Sequence, residues 1–254
     1  MGIKQFSLDN KTILITGASG DLGAQTAITL SEAGANVVIT GRNELKLKEI
    51  SNKLNNKACE ILLADLTNEE SINELAKQCP KVDGVVHAAG VVELFPTKFI
   101  NKKKIDFTFN INFVAPVLLM TALFRNKKIN NRASIVFISS LASEHPYASG
   151  AMYSASKAAI EAYSKTIAAE HANIFLRSNS IAPAIIKTKL FDKTEDFVKS
   201  IRTDKDNHEK DYLFGYGEPS DVSNLVLFLL SEASKWITGE TIPLDGGYLR
   251  GLMT

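Results

Sequence analysis

Two periodicities alternate along the chain. Short apolar runs, many rich in β-branched residues, recur at Lys11–Thr16, Asn36–Thr40, Ala58–Ala64, Val82–Ala88, Ile135–Ile138, Ile174–Ile181 and Glu240–Leu244. Apolar character sustained over so few residues predicts strands buried on both faces. Between them, apolar residues fall at helical spacing: from the glycines after Thr16 to Ala33, Glu44–Leu54, Glu69–Cys79, about Ile105 to Phe124, an Ala-rich stretch from near Met152, and Pro219–Leu230. Gly34 supplies a helix stop, and Pro219 with Asp221 a helix start. Pro116 lies inside the long apolar helix and predicts a kink or break there. Lys127–Asn131 reads as a polar loop. From Lys189 to Gly217 the pattern gives way to charged residues with Phe191, Phe197, Tyr212 and Phe214 among them. An insertion of that kind after a strand's carboxyl end forms a lid or substrate wall.

Strand and helix alternate with no internal repeat and no low-complexity linker. This predicts one α/β domain over 1–254, a Rossmann-type doubly wound parallel sheet of about seven strands. Ligands of such sheets lie outside the carboxyl ends of the strands.

Composition narrows the class. With 254 residues, 45% hydrophobic and 22% charged, the chain has ample material for a core. A net charge of +1 leaves no electrostatic footprint for nucleic acid. Cys59 and Cys79 are the only cysteines; they fit no disulfide or metal framework and read as thiols in a reducing compartment. The first residues lack a signal-peptide apolar run, and no uninterrupted apolar stretch approaches ~18 residues. The expectation is a cytoplasmic protein that acts on a small molecule, without membrane, nucleic-acid or metal partners.

The first strand runs into Gly17-Ala-Ser19-Gly20-Asp21-Leu22-Gly23 and then a helix. Glycines there let the backbone approach a pyrophosphate, and the helix N-terminus offers free N–H groups and positive dipole. Strand, glycine turn, helix and strand together predict a dinucleotide site. Asp21 is unfavourable beside a pyrophosphate unless it turns away or caps the helix. After the second strand, no acidic residue stands at Thr40, Gly41 or Arg42 to bind ribose hydroxyls. Arg42 can instead pair with a 2′-phosphate, which favours NADP(H) over NAD(H). Asp65 and Gly90 fall at further strand ends. His87, inside an apolar strand, reads as structural. Asn110 and Asn112 are polar residues in apolar surroundings, and a buried Asn needs partners.

Candidate chemistry gathers between Ser140 and Lys157. Tyr153 and Lys157 are four apart and share a helix face. A cation there is expected to favour the phenolate and lower a pKa that starts near ~10. A tyrosine so tuned passes protons near neutral pH. Ser140, on the loop after the fifth strand, is placed to hydrogen-bond the oxygen receiving the proton.

In this order, the pieces resemble the short-chain dehydrogenase/reductase family in its single-domain form, and within it the 3-oxoacyl-thioester and carbonyl reductases. The resemblance runs from Lys11 to Tyr248. Thr16-Gly17 opens its cofactor loop; Asp65-Leu66 matches its adenine-contacting pair; Ala89 and Gly90 end its Asn-Asn-Ala-Gly motif, here His87-Ala-Ala-Gly90. Ile138-Ser-Ser140 matches the strand delivering the catalytic serine, thirteen positions before Tyr153 as in the family. Asn112 matches the helix asparagine of the tetrad. Asn179-Ser-Ile-Ala-Pro183, with Ala184, Ile186 and Thr188, matches the segment holding the nicotinamide carboxamide. Phe228-Leu-Leu-Ser231, Ile237-Thr-Gly239 and Asp245-Gly-Gly247 match its C-terminal pattern. Departures are Asp21, where the family has glycine, the lost asparagines at His87 and Ala88, and Ala184 after Pro183.

The resemblance implies an oxidoreductase transferring hydride between nicotinamide and a ketone or secondary alcohol. Tyr153 would be the acid–base. Lys157 would lower its pKa and hold the nicotinamide ribose. Ser140 would orient the substrate oxygen, and Asn112 would hold a water in the proton relay. It also implies a homotetramer or homodimer, and the small-residue face Ala155, Ala158, Ala159, Ala162 permits close helix contact. Two other readings share the fold: a nucleotide-sensing or scaffold protein without catalysis, and an NAD-dependent sugar-nucleotide modifying enzyme. The chain lacks the extra C-terminal domain of the latter.

Overall fold

A computed structural model describes residues 4–55, 59–191 and 212–251. Seven strands form one sheet in the order β3-β2-β1-β4-β5-β6-β7. They are β1 Thr12–Thr16, β2 Asn36–Gly41, β3 Cys59–Leu63, β4 Val82–His87, β5 Ile129–Ile138, β6 Arg177–Pro183 and β7 Thr241–Leu244. Every neighbouring pair is parallel. The winding reverses between β1 and β4, and this opens a crevice outside their carboxyl ends. Seven helices of eight residues or more flank the sheet among the described residues: α1 Asp21–Glu32, α2 Glu44–Ser51, α3 Glu69–Gln78, α4 Lys102–Phe109, α5 Ala115–Arg125, α6 Ala151–Glu170 and α7 Pro219–Leu230.

The strands read as apolar runs because side chains alternate into two cores. Leu14, Val85, Ile135 and Phe137 enter the core shared with Ile72 and Leu75 of α3, Leu119 and Met120 of α5, and Ile160 of α6. Their neighbours Ile13, Ile15, Val86 and Val136 point the other way, against Ala27 and Leu30 of α1, Leu47 of α2 and Val222 and Val226 of α7. Each fully buried aliphatic chain contributes roughly 1.5–3 kcal/mol. A one-residue slip of any strand would exchange the two sets.

The long apolar helix is three pieces. Between α4 and α5, Asn110–Val114 form a π-helical turn in which Ala115 N–H donates to Asn110 O. Pro116 is the cause available in the sequence: it has no N–H for the carbonyl of Asn112, four residues earlier. The whole stretch Lys102–Arg125 is long and apolar enough to cross a membrane by length and composition. Ala115, Leu119, Met120 and Leu123 are instead fully buried in the core, which accounts for its apolarity.

Two boundaries differ from the sequence pattern. β5 begins at Ile129, so most of the expected Lys127–Asn131 loop is strand; Ile129 pairs with Val82 before the register shifts at Gly84. The pattern was misleading because this rim of the sheet is wet: Asn130 Nδ2 donates to Asp83 Oδ1 at 3.1 Å. β6 begins only at Arg177. Ala172–Ile174 form a 3-10 turn and Phe175 adopts a left-handed φ of 57°. Ile174 and Leu176 pack against the core from that turn, and apolar burial looked like a strand. Of the expected third strand, Ala58 lies outside the described residues, as do 192–211 of the Lys189–Gly217 insertion, including Phe197.

Candidate active site

The crevice holds two cavities, of about 230 and 200 Å³, which share Ala88, Gly90 and Val91 as a common wall. The first is lined by Gly17, Ser19, Gly20, Arg42, Asp65, Leu66, Ala89 and Gly90, bringing together most of the expected cofactor residues. The second is lined by Leu22, Ser140, Tyr153, Lys157, Pro183, Ala184, Ile186 and Thr188.

The walls of the first cavity are shaped for close backbone approach. Gly17 has a left-handed φ of 67°, and a Cβ there would stand 2.6 Å from the backbone of Ala89. Both constraints demand glycine. Gly23 does not face the cavity. A Cβ on it would meet Gly17 O at 2.3 Å, so it seats α1 against the loop. Gly20 caps α1 without a side-chain hydrogen bond, which leaves the first N–H groups for an outside acceptor at the positive end of the helix. Arg42 lies close enough to Asp65 to help hold that carboxylate below its usual range, after the stronger effect of the Thr67 backbone N–H and hydroxyl that bond it. Donors at a helix N-terminus, a backbone cradle and a cation fit the phosphates of a nicotinamide dinucleotide.

Asp21 is not among the residues lining either cavity. Its Oδ2 accepts from Lys189 N–H at 2.7 Å, across 168 positions of sequence. The carboxylate thus ties the start of α1 to the segment leaving β6.

In the second cavity, Ser140 ends the strand segment and N-caps the following 3-10 turn, its Oγ accepting from Ala142 N–H at 3.2 Å. It also hydrogen-bonds the Tyr153 phenol, which favours the phenolate; burial outweighs this and pushes the phenol above its ordinary value. The Lys157 cation taken alone predicts the opposite direction. The structure explains the difference. Lys157 Nζ sits 5.7 Å from the centre of the Tyr153 ring and donates to Ile138 O at 2.8 Å. Burial in turn lowers Lys157 to about 8, with Glu161 acting against that shift.

Asn112 is buried, and its amide is engaged rather than free. Oδ1 accepts from Val91 N–H at 2.8 Å; Nδ2 donates to Val91 O and to Ser156 Oγ, each at 3.0 Å. It braces the loop after β4 against α6. Pro116 has no N–H to give its backbone carbonyl the usual i+4 bond.

Sequence reasoning missed several members. Ile111 and Thr67, which line the first cavity, carry no spacing signal; Leu190 and Phe191, at the start of the expected substrate wall from Lys189, line the second together with Tyr147. Tyr147 lies over Gly150, where a Cβ would come within 2.8 Å of the ring. Glu161 was readable in principle, since it repeats the four-residue step from Tyr153 through Lys157.

A family model described as enoyl-(acyl carrier protein) reductase matches residues 17–249. A 3-oxoacyl-[acyl-carrier-protein] reductase of Rickettsia bellii is 35% identical over 95% of this chain and 98% of its own length. An L-xylulose reductase of Caenorhabditis elegans is 31% identical over 96% of this chain and 97% of its own. A solved short chain dehydrogenase/reductase family protein superposes with a TM-score of 0.85 at 28% identity, covering 96% of this chain and 99% of that one. The chain belongs to the short-chain dehydrogenase/reductase family. It is an oxidoreductase of the CH–OH/C=O type that uses a nicotinamide dinucleotide.

Proposed function

We propose an NADP(H)-dependent reductase of a ketone to a secondary alcohol, with Tyr153 as acid–base. The convergence of Ser140, Tyr153 and Lys157 in the cavity adjoining the glycine cradle carries this reading. A bound nicotinamide supplies or accepts the hydride. Tyr153 O–H protonates the carbonyl oxygen as charge develops on it, and Ser140 Oγ–H orients that oxygen. Lys157 contributes a cation below the phenol and a donor for the cofactor's ribose. Asn112 fixes the Val91 loop with its amide and holds a water of the proton relay. The cofactor cavity lies along Gly17, Ser19, Gly20, Arg42, Asp65, Leu66, Ala89 and Gly90, and continues past Pro183, Ala184, Ile186 and Thr188.

The second cavity is walled largely by Leu22, Val92, Tyr147, Leu190 and Phe191, which suits an apolar-bodied substrate with one carbonyl. With a 3-oxoacyl-carrier-protein reductase among its relatives, 3-oxoacyl thioesters are the first substrates to test. Consumption of NADPH with acetoacetyl-coenzyme A and a panel of simple ketones measures the activity. No turnover across the panel, with the cofactor bound, would favour a nucleotide-sensing role instead.

Arg42→Ala is expected to weaken NADPH binding about 10- to 100-fold, the loss of one charge-assisted contact, while NADH affinity changes less than about threefold. Titration by cofactor fluorescence compares the two; equal NADPH affinity in both proteins removes Arg42 from the 2′-phosphate role. For assembly, Ala155, Ala158 and Ala162 of α6 are exposed, which supports a helix-to-helix contact in a homodimer or homotetramer. The mass in solution tests it, and a monomer at micromolar concentration rejects it. A cytoplasmic location is part of the same reading and is tested by cell fractionation.

A further inference from the structure

Glu161 is a carboxylate in the interior of the protein, 6% exposed, one helical turn beyond Lys157, which is 5% exposed. Its Oε1 takes hydroxyl contacts from two directions: Ser139 Oγ at 2.5 Å and Ser143 Oγ at 2.6 Å. These serines bracket Ser140. Ser139 is the residue before it, and the Ser143 hydroxyl also reaches Ser140 O at 2.8 Å. Ser139 Oγ lies, in addition, 3.3 Å from Lys157 O. One carboxylate therefore joins the segment carrying Ser140 to the helix carrying Tyr153 and Lys157.

The electrostatic surroundings leave Glu161 little competition. Of the titratable groups around Lys157, Tyr153 on α6 is a phenol pushed above its ordinary value by burial, and Tyr147 on the preceding loop is a phenol that is also shifted upward. His87, at the end of β4, is pressed to about 3 by burial and is neutral. Glu144 and His145, in the loop after Ser143, are exposed. The contact from β5 comes from Ile138 O, which is uncharged. Among the described residues, Glu161, one turn away on α6, is the charge that acts on Lys157. A buried cation without a counter-ion sheds its proton.

We propose that Glu161 is a positioning residue of the active site: its carboxylate is the buried counter-ion of Lys157 and, through the Ser139 and Ser143 hydroxyls, the clamp that sets Ser140 against Tyr153. This rests on the catalytic reading of Tyr153 and Lys157 given above. The consequence is a pH range. Lys157 serves Tyr153 as a cation, so whatever keeps it protonated extends the active range upward in pH. Removing the Glu161 charge brings the alkaline limb down.

Glu161→Gln separates charge from shape, since the amide oxygen still accepts from both serines. With lysine labelled at 13Cε, and the Lys157 resonance assigned by its loss in Lys157→Met, the titration midpoint of Lys157 is read without any substrate. It is expected to fall by about one to two pH units in Glu161→Gln. The alkaline limb of kcat/KM moves down with it, so the rate falls more at high pH than at pH 6. Glu161→Asp, which keeps the charge but withdraws it by one methylene, shifts the midpoint the same way by less and carries the test if the Gln variant does not fold. An unchanged Lys157 midpoint in these variants, or a fall in rate equal at every pH, overturns the proposal. Failure of the catalytic reading itself shows differently: the midpoint shifts while Tyr153→Phe keeps its turnover.

Discussion

Tyr153→Phe is expected to lower kcat for ketone reduction by about two to four orders of magnitude, the usual range for removing a general acid. Melting temperature and NADPH affinity should stay near those of the unmodified protein. Among the described residues, the phenol oxygen is the group of the second cavity with both a dissociable proton and a direct bond to Ser140. The Tyr153 backbone carbonyl, which accepts from Ser156 Oγ at 2.7 Å, is kept by phenylalanine. The direction of the phenol's shift adds a second signature. Burial holds Tyr153 protonated, which is the form needed to reduce a carbonyl. Alcohol oxidation needs the phenolate, so the oxidative rate should climb with pH while the reductive rate falls once Lys157 discharges near 8. Initial rates in both directions between pH 6 and 10 test this. Turnover by Tyr153→Phe within about tenfold of the unmodified protein would remove the phenol from the mechanism.

The fold was legible because its strands are buried on both faces. Runs such as Ile135–Ile138 announce themselves without alternation, and glycine marks the turn after β1 where Ala89 approaches. Legibility failed where burial and secondary structure part company. Ile174 and Leu176 are core residues on a 3-10 turn and its exit. Asn130 and Asn131 are strand residues at a wet sheet rim. Pro116 fixed the position of a break but not its form, a π turn in which Ala115 N–H reaches back five residues to Asn110 O.

Within the crevice, residue types and spacing picked side chains that the fold brings together, but not their states. A Tyr-x-x-x-Lys step says that two side chains share a helix face. It does not say that both are desolvated, and desolvation reverses the direction inferred from the cation alone. Asn112 was found as a polar residue in an apolar stretch, yet its amide bonds Val91, on a loop 21 positions away, which no local pattern encodes. Asp21 is the same case. Its partner is a backbone N–H 168 positions on, so only the folded chain reveals where the carboxylate turns.

His87→Gln is expected to make the protein markedly more resistant to acid. His87 lies 4% exposed at the end of β4, stacked on Phe137 with ring centres 4.6 Å apart. Its Nε2 has no hydrogen-bond partner among the described residues. Burial lowers its pKa to about 3 from the ordinary 6.5. Above pH 6.5 the imidazole is neutral in folded and unfolded chains alike and contributes no pH dependence. As pH falls below 6.5, the unfolded chain takes up a proton that the folded one refuses, and stability drops by about 1.4 kcal/mol per unit. The loss reaches on the order of 4–5 kcal/mol by pH 3, comparable with the whole stability of many domains. Glutamine has similar volume and no titration, so this slope disappears. Loss of the stack on Phe137 costs about 0.5–1.5 kcal/mol at pH 7. Denaturant unfolding followed by circular dichroism at pH 7, 6, 5 and 4 gives both numbers. The variant should start slightly less stable at pH 7 and overtake the unmodified protein by pH 5. If the two curves fall in parallel as pH is lowered, His87 is protonated in the folded state and its burial does not set the acid limit.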